Sequence, residues 1–265
     1  MKKFWFILTA LVATCFLVAC SGSQGVNPKT IKEKKKIVVA TESEFAPFEF
    51  KSLVNGKDTL VGADIELAKA IGEKLGVKVE FSVMSFDNVL ANVQSGKADI
   101  AIAGISVTDE RKKVYDFSDS YYTSENVVIV KKDKVNDYTS TDSLAKQTVG
   151  TQKGSVQETV AKKQIPKASV VSLASNGEMI NELKSGQLQA VVLEKAIAEG
   201  YIAQNDDLTL ANFNLKSDST DAYAVATRKG SDDLLKEINA VIKETKDSGK
   251  FDQWLKEAST YKQSK

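Results

Sequence analysis

The 265-residue chain contains no histidine. That removes Ser-His-Asp and Cys-His catalysis, and every His-ligated metal site. Its only cysteines, Cys15 and Cys20, both fall within the first twenty residues. Everything after them therefore lacks a disulfide, a thiol nucleophile and a thiolate metal site. An excess of one charge is missing too. Lys and Arg total 36 against 35 Asp and Glu, a formal +1, which gives nucleic acid no bulk-charge reason to bind. Neither GxGxxG nor GxxxxGK[ST] occurs, so no phosphate-binding loop is expected. Beyond residue 19 no apolar run reaches roughly 18 residues, the length of a membrane-spanning helix. What remains is 42% hydrophobic and 27% charged, the balance of an ordinary globule, long enough for one large domain or two small ones.

The first residues read as an address. Lys2 and Lys3 precede Phe4–Ala19, an uncharged and mostly apolar run that is short for a bilayer span. It ends Leu17-Val18-Ala19-Cys20. Residues 21–36, SGSQGVNPKTIKEKKK, are nearly devoid of apolar side chains, and predict a flexible tether.

From Lys36 onward, short β-rich runs alternate with helical patterns. Ile37–Ala40 predicts a strand. Asp64 is placed to cap a helix carrying Ile65, Ala68, Ile71 and Leu75 on one face and stopped by Gly76. Further strands are predicted over 77–83, 100–103, 148–151, 190–193 and 222–226, with helices between them. The alternation argues an α/β fold with largely parallel sheets. Residues 90–104, LANVQSGKADIAIAG, echo 180–194, INELKSGQLQAVVLE, which suggests two lobes of one design. Ligands of open α/β sheets bind outside the carboxyl ends of strands. That rule selects 41–48, 104–111, 152–157 and Glu194.

Only two of the 36 basic residues are arginine, Arg111 and Arg228. Arg111 therefore suggests a need for the planar fork that grips a carboxylate, either a ligand's or that of Asp116 or Asp119. Gly104 and Ser106 follow a strand, where backbone and a hydroxyl could approach a ligand or simply make a turn. Ser155 and Val156 open a predicted helix, whose first N–H groups attract an anion. Phe45 and Phe86 could stack on a ligand or pack in a core. Glu42 and Glu194 sit at strand ends in different halves, where they could make an acidic site for an ammonium or guanidinium.

At these residues the chain resembles the extracellular solute-binding proteins, family 3, of polar-amino-acid ABC transporters. The stretch 103–111, AGISVTDER, continuing to DFSDSYY at 116–122, is the most specific part. VATESEFAPFEF at 39–50, GADIELAKAIGEKLG at 62–76, SGKADI at 95–100 and VGTQKGSVQE at 149–158 support it. The end of the apolar run resembles a lipoprotein lipobox, which implies cleavage after residue 19 and acylation of Cys20. The resemblance implies a type II periplasmic binding protein fold, two α/β lobes joined by two crossover strands. The expected organisation is a signal peptide over 1–19, the lipidated tether over 20–36, lobe 1 over 37–125 plus 222–265, and lobe 2 over 126–221. Hinges are expected near 124–127 and 217–222.

Carried over by position, Arg111 is expected to clamp a ligand α-carboxylate, assisted by Ser106 and by backbone at Gly104 and Val156. Glu194 stands where the family usually has an Asp for the α-ammonium, and is one methylene longer. Phe45 and Phe86 match the aromatics that sandwich the side chain, and Glu42 an acidic side-chain reader. Ser155 joins the expected set, and Gln152 or Lys153 could also reach the side chain. Arginine is expected first, then lysine or ornithine, then glutamine. The expected partner is a membrane permease with its ATPase. No cofactor, metal or nucleic acid is expected, and the protein is expected to be a monomer on the outer face of the membrane. A sensory lipoprotein and a dehydratase-like enzyme are the other readings, the latter disfavoured by the missing His and Cys.

Overall fold

The structure is a computed structural model, and it describes residues 25–216 and 222–264. The expected signal peptide, Cys20 and residues 217–221 of the second expected hinge lie outside the described residues.

Two five-stranded sheets organise the chain. In the first, Lys36–Thr41 lies between Lys78–Val83 and Ile100–Ala101, both parallel to it. Ala226–Arg228 then joins Ile100–Ala101 antiparallel, and Tyr115–Phe117 closes the edge. In the second, Thr148–Gln152 lies between Ser169–Leu173 and Ala190–Glu194, again parallel. Asn126–Lys131 and Leu208–Leu210 complete it antiparallel. The apolar runs predicted as buried strands fill the centres of these sheets. Ile37, Val39, Ile100, Val149, Ala190 and Val191 have no exposed surface.

The sheets share their order and also their register. Val39 pairs with Ile100 and Ala40 with Ala101; Val149 pairs with Ala190 and Gly150 with Val191. Matching these pairs makes Glu42 the counterpart of Gln152, and Gly104 the counterpart of Glu194. The sequence echo is thus a structural equivalence between two lobes.

Helices cover the sheets where apolar side chains recur at helical spacing. Asp232–Asp247 buries Leu234, Leu235, Ile238, Val241 and Ile242, and packs with Lys250–Ala258 against Ala63–Leu75 of the first lobe. The chain passes between lobes beside a short antiparallel pair, Tyr122–Thr123 with Ala222–Tyr223. The strand expected over 222–226 is accordingly split. Its first two residues belong to this connection, and Ala226–Arg228 to the first sheet.

Two expectations are corrected. The tether does not extend to residue 36. Asn27 accepts from the Lys29 N–H at 2.8 Å, and Pro28 opens the helix Pro28–Lys34, an N-cap and N1 pair that favours helix initiation. The Val26 N–H donates to Ser231 Oγ at 2.7 Å, and Val26 and Ile31 are buried in the first lobe's core. Nor is Asp64 a cap. Gly62 holds that position, with φ +131 where a Cβ would lie 2.0 Å from the Phe48 carbonyl oxygen. Asp64 is instead turned inward and fully buried.

Candidate functional site

The carboxyl ends of the central strands meet between the lobes. Glu42 follows Lys36–Thr41, and Gln152 ends Thr148–Gln152. The Gln152 amide donates to both Glu42 carboxylate oxygens, at 3.1 and 3.3 Å. Both residues are buried. Burial raises the Glu42 carboxyl to about 8, the Gln152 hydrogen bond opposes this, and the charges of Glu44 and Glu194 add to it.

Glu194 ends Ala190–Glu194 and is also buried. Its Oε1 accepts from Gln157 Nε2 at 2.7 Å, and the same amide donates to Asn126 Oδ1 at 2.7 Å. Gln157 is the second residue of the helix Val156–Gln164. Asn126 begins the strand Asn126–Lys131. Neither is named as a candidate in the sequence, although Gln157 ends the selected segment 152–157 and Asn126 lies in the expected hinge at 124–127. Asn126 is polar at the head of an apolar strand, and Gln157 lies two residues beyond the helix cap.

Arg111 sits in the helical turn Asp109–Lys112, whose cap Thr108 accepts from the Arg111 N–H at 3.1 Å. Its guanidinium donates to the Ser106 carbonyl at 2.7 Å and, across the cleft, to the Gly154 carbonyl at 3.1 Å. The guanidinium carbon stands 5.8 Å from the centre of the Phe86 ring, within cation–π range. Burial lowers the guanidinium to about 10, while Glu194 and Tyr115 oppose the shift, so it stays cationic at neutral pH. Of the two carboxylates considered for it within the chain, Asp116 is engaged elsewhere. Asp116 takes Lys229 at 2.8 Å and the Gly230 N–H at 2.7 Å. The other arginine is structural, donating to the Val93 and Ala98 carbonyls behind the helix Phe86–Gln94.

The remaining candidates take up the edges of the same cleft. Ser155 caps Val156–Gln164 through the Glu158 N–H and donates to the Gln152 carbonyl at 2.7 Å. Beside Arg111 a groove of about 800 Å³ is lined by Val107, Thr108, Gly154, Ser155 and Val156. Lys153 reaches from one lobe to the other. It is mostly exposed and pairs with Asp87 of the other lobe at 2.9 Å. Phe45 joins the core, its ring centre 5.7 Å from that of Phe48 and 6.3 Å from that of Tyr223, and one edge lies over Gly104. A Cβ on Gly104, whose φ is +53, would stand 2.6 Å from that ring. Gly104→Ala is therefore expected to destabilise by about 1–3 kcal/mol, from left-handed backbone strain and overpacking. A lower urea midpoint with unchanged slope checks this.

The cleft thus sets one fixed cation against two buried acids, contributed by both lobes. Such a set suits a zwitterion better than it suits bond chemistry, because it offers no nucleophile beside a base. Residues 37–258 match the profile of the bacterial extracellular solute-binding proteins, family 3. The chain belongs to this family. As a family 3 solute-binding protein it is not an enzyme, and its lobes are those of the type II periplasmic binding fold. It is 35% identical to the arginine-binding extracellular protein ArtP of Bacillus subtilis, over 97% of each chain. It is 32% identical to the glutamine-binding protein GlnH of the same organism, over 97% of this chain and 98% of that one. Among solved structures it is similar to AbpA of Streptococcus pneumoniae bound to L-arginine. There the identity is 51%, the TM-score 0.85, and the coverage 87% of this chain and 97% of the other.

Proposed function

We propose that the protein is a lipid-anchored capture protein that takes a cationic L-amino acid, arginine first, from outside the cell and delivers it to a membrane permease. Cys20 is the proposed anchor, 25–125 plus 222–265 and 126–221 are the moving lobes, and 124–127 and 217–222 the hinges. The observation that carries the ligand is Glu42. A zwitterion uses Arg111, with Ser106 and the backbone of Gly104 and Val156, for its carboxylate, and Glu194 for its ammonium. Glu42 is then a surplus buried acid whose natural partner is a cation on the side chain. Phe45, Phe86, Gln152 and Ser155 line the remaining walls. Lys153 is exposed and paired with Asp87, so its charge opposes a cationic side chain little. The arginine-binding relatives support arginine as the first choice, and lysine and ornithine follow on the charge of their side chains.

One observation favours glutamine as a second reading. A Glu42 that is readily protonated, beside the Gln152 amide, would suit a neutral carboxamide side chain.

The test is calorimetric titration of the chain from Ser21 onward, stripped of carried ligand by unfolding and refolding, against the common amino acids plus ornithine and citrulline. Tight arginine binding with citrulline at least about tenfold weaker is expected, as for loss of a charge-assisted hydrogen bond. Equal affinity for citrulline or a preference for glutamine would remove the role given to Glu42. A folded protein that binds no amino acid would overturn the reading.

A further inference from the structure

Behind the ligand-facing edge of the first lobe lies a pair of carboxyls that the proposed capture mechanism does not use. Glu49, in the strand Glu49–Val54, and Asp64, in the helix Ala63–Leu75, have no exposed surface. Asp64 Oδ2 accepts two hydrogen bonds, from the Gly104 N–H at 3.0 Å and from the Tyr121 hydroxyl at 2.8 Å. Among the described residues Asp64 Oδ1 and both Glu49 oxygens meet no other donor, and the two carboxyls face each other. Neither has an ion-pair partner among the described residues.

The groups around the pair are acids and phenols. Glu42 acts on Glu49 from the loop after the first strand, and Glu194 acts on it from the opposite lobe. Tyr121 faces Asp64 from the connection leading to the hinge, and Tyr223, packed against Tyr121, faces Glu49 from the returning strand. Two carboxyls in a buried site without a cation cannot both ionise. One proton must be retained, and the hydrogen-bond pattern says where. Asp64 already accepts twice, so it is the anion, and Glu49, with no donor aimed at it, carries the proton.

We propose that Glu49 and Asp64 form a one-proton acid pair in which Glu49–OH donates to Asp64 Oδ1, and that ionised Asp64 holds the Gly104 backbone in position for the ligand. Asp64 is thus a positioning residue. It anchors the Ala103–Gly104 peptide from behind, under Phe45, at the position equivalent to Glu194 in the other lobe. Through Tyr121 it ties that peptide to the connection between lobes. The effect on affinity rests on the reading of the cleft as an amino-acid site; the protonation pattern does not.

Two experiments on the chain from Ser21 onward separate these. In the ligand-free protein, the backbone ¹⁵N–¹H resonance of Gly104 is followed from pH 4.5 to 9. Burial raises Asp64 to about 6, against the hydrogen bonds from Gly104, Tyr121 and Glu49. The Gly104 resonance should therefore move through a midpoint near that pH, and lose this step in Asp64→Asn. A Gly104 resonance flat across the range would overturn the pair whatever the ligand proves to be. In the second experiment, arginine affinity is measured by calorimetry. Glu49→Leu, which removes the proton donor, is expected to weaken arginine binding about tenfold or more, and Glu49→Gln, whose amide N–H replaces the carboxyl O–H, to restore it to within about threefold of the parent. Loss in Glu49→Gln equal to that in Glu49→Leu would overturn the assignment of the proton. Should Glu49→Leu fail to fold, the pH profile of affinity in Glu42→Gln decides. It should fall below the Asp64 midpoint, and a level profile would overturn the positioning role. A parent protein that binds no amino acid would sink the proposed function while leaving the resonance test standing.

Discussion

Replacing Arg111 by alanine is expected to weaken arginine binding by roughly 10²–10⁴-fold, the cost of removing one partner from a buried charged pair. The size follows from position. The guanidinium is already oriented by the Ser106 and Gly154 carbonyls and backed by the Phe86 ring, so a ligand carboxylate meets a pre-formed fork. Arg111→Lys should recover only part of the loss, because an ammonium cannot offer two parallel N–H groups. Agmatine, which is arginine without its carboxylate, gives the control. It should bind the parent poorly and be almost indifferent to Arg111→Ala. Equal losses for arginine and agmatine in calorimetry would mean that Arg111 supports the fold of the cleft rather than reading the carboxylate.

Glu42→Gln is expected to cost arginine at least about 10²-fold while leaving glutamine within a few-fold, since only the cation loses its counter-charge. It should also change how binding and stability respond to pH. Burial holds the Glu42 carboxyl at about 8 in the ligand-free protein, whereas the unfolded chain ionises it near 4.5. The folded state therefore binds the extra proton between those values. Its contribution to stability is fully present below pH 4.5 and is lost as pH rises through about 8. Glu42→Gln should flatten that decline, so that the ligand-free variant melts higher than the parent at pH 8. A guanidinium brought against Glu42 reverses the preference and expels the proton. Arginine affinity should then climb with pH up to about 8 and level off above it, and the binding enthalpy should depend on the ionisation heat of the buffer. An arginine affinity independent of pH from 6 to 9 would show that Glu42 is not the side-chain reader.

The alternating pattern of the chain made the two-lobed α/β design legible. Buried strands such as Ile37–Ala40 and Ala190–Leu193 are short apolar runs bounded by glycine or polar residues, and their helices carry unmistakable apolar faces. The features that escaped depend on neighbours distant in sequence. Val26 and Ile31 look isolated among lysines until the lobe supplies a surface for them. The hairpin of Glu49–Val54 with Lys57–Val61 turns at Asn55-Gly56, both at positive φ. That dipeptide signals such a turn, but only one flanking strand alternates in burial. At the site, the strand-end rule found the edges of the cleft, and Arg111 stood out by its rarity. Gln157 and Asn126 did not, because an amide becomes informative only when the tertiary fold shows what it touches. Asp64 was misread for the same reason: an acid in the first turn of a helix looks like a cap until its buried partners are known.

The equivalence of Glu42 and Gln152 has a consequence for how specificity can change. The two halves meet strand end to strand end, so in the proposed cleft a ligand would face two versions of one motif, one with an acid and one with an amide. Neither version holds the whole specification. A change of preferred side chain can therefore begin with one substitution in one half, while the facing half preserves the shape of the opening.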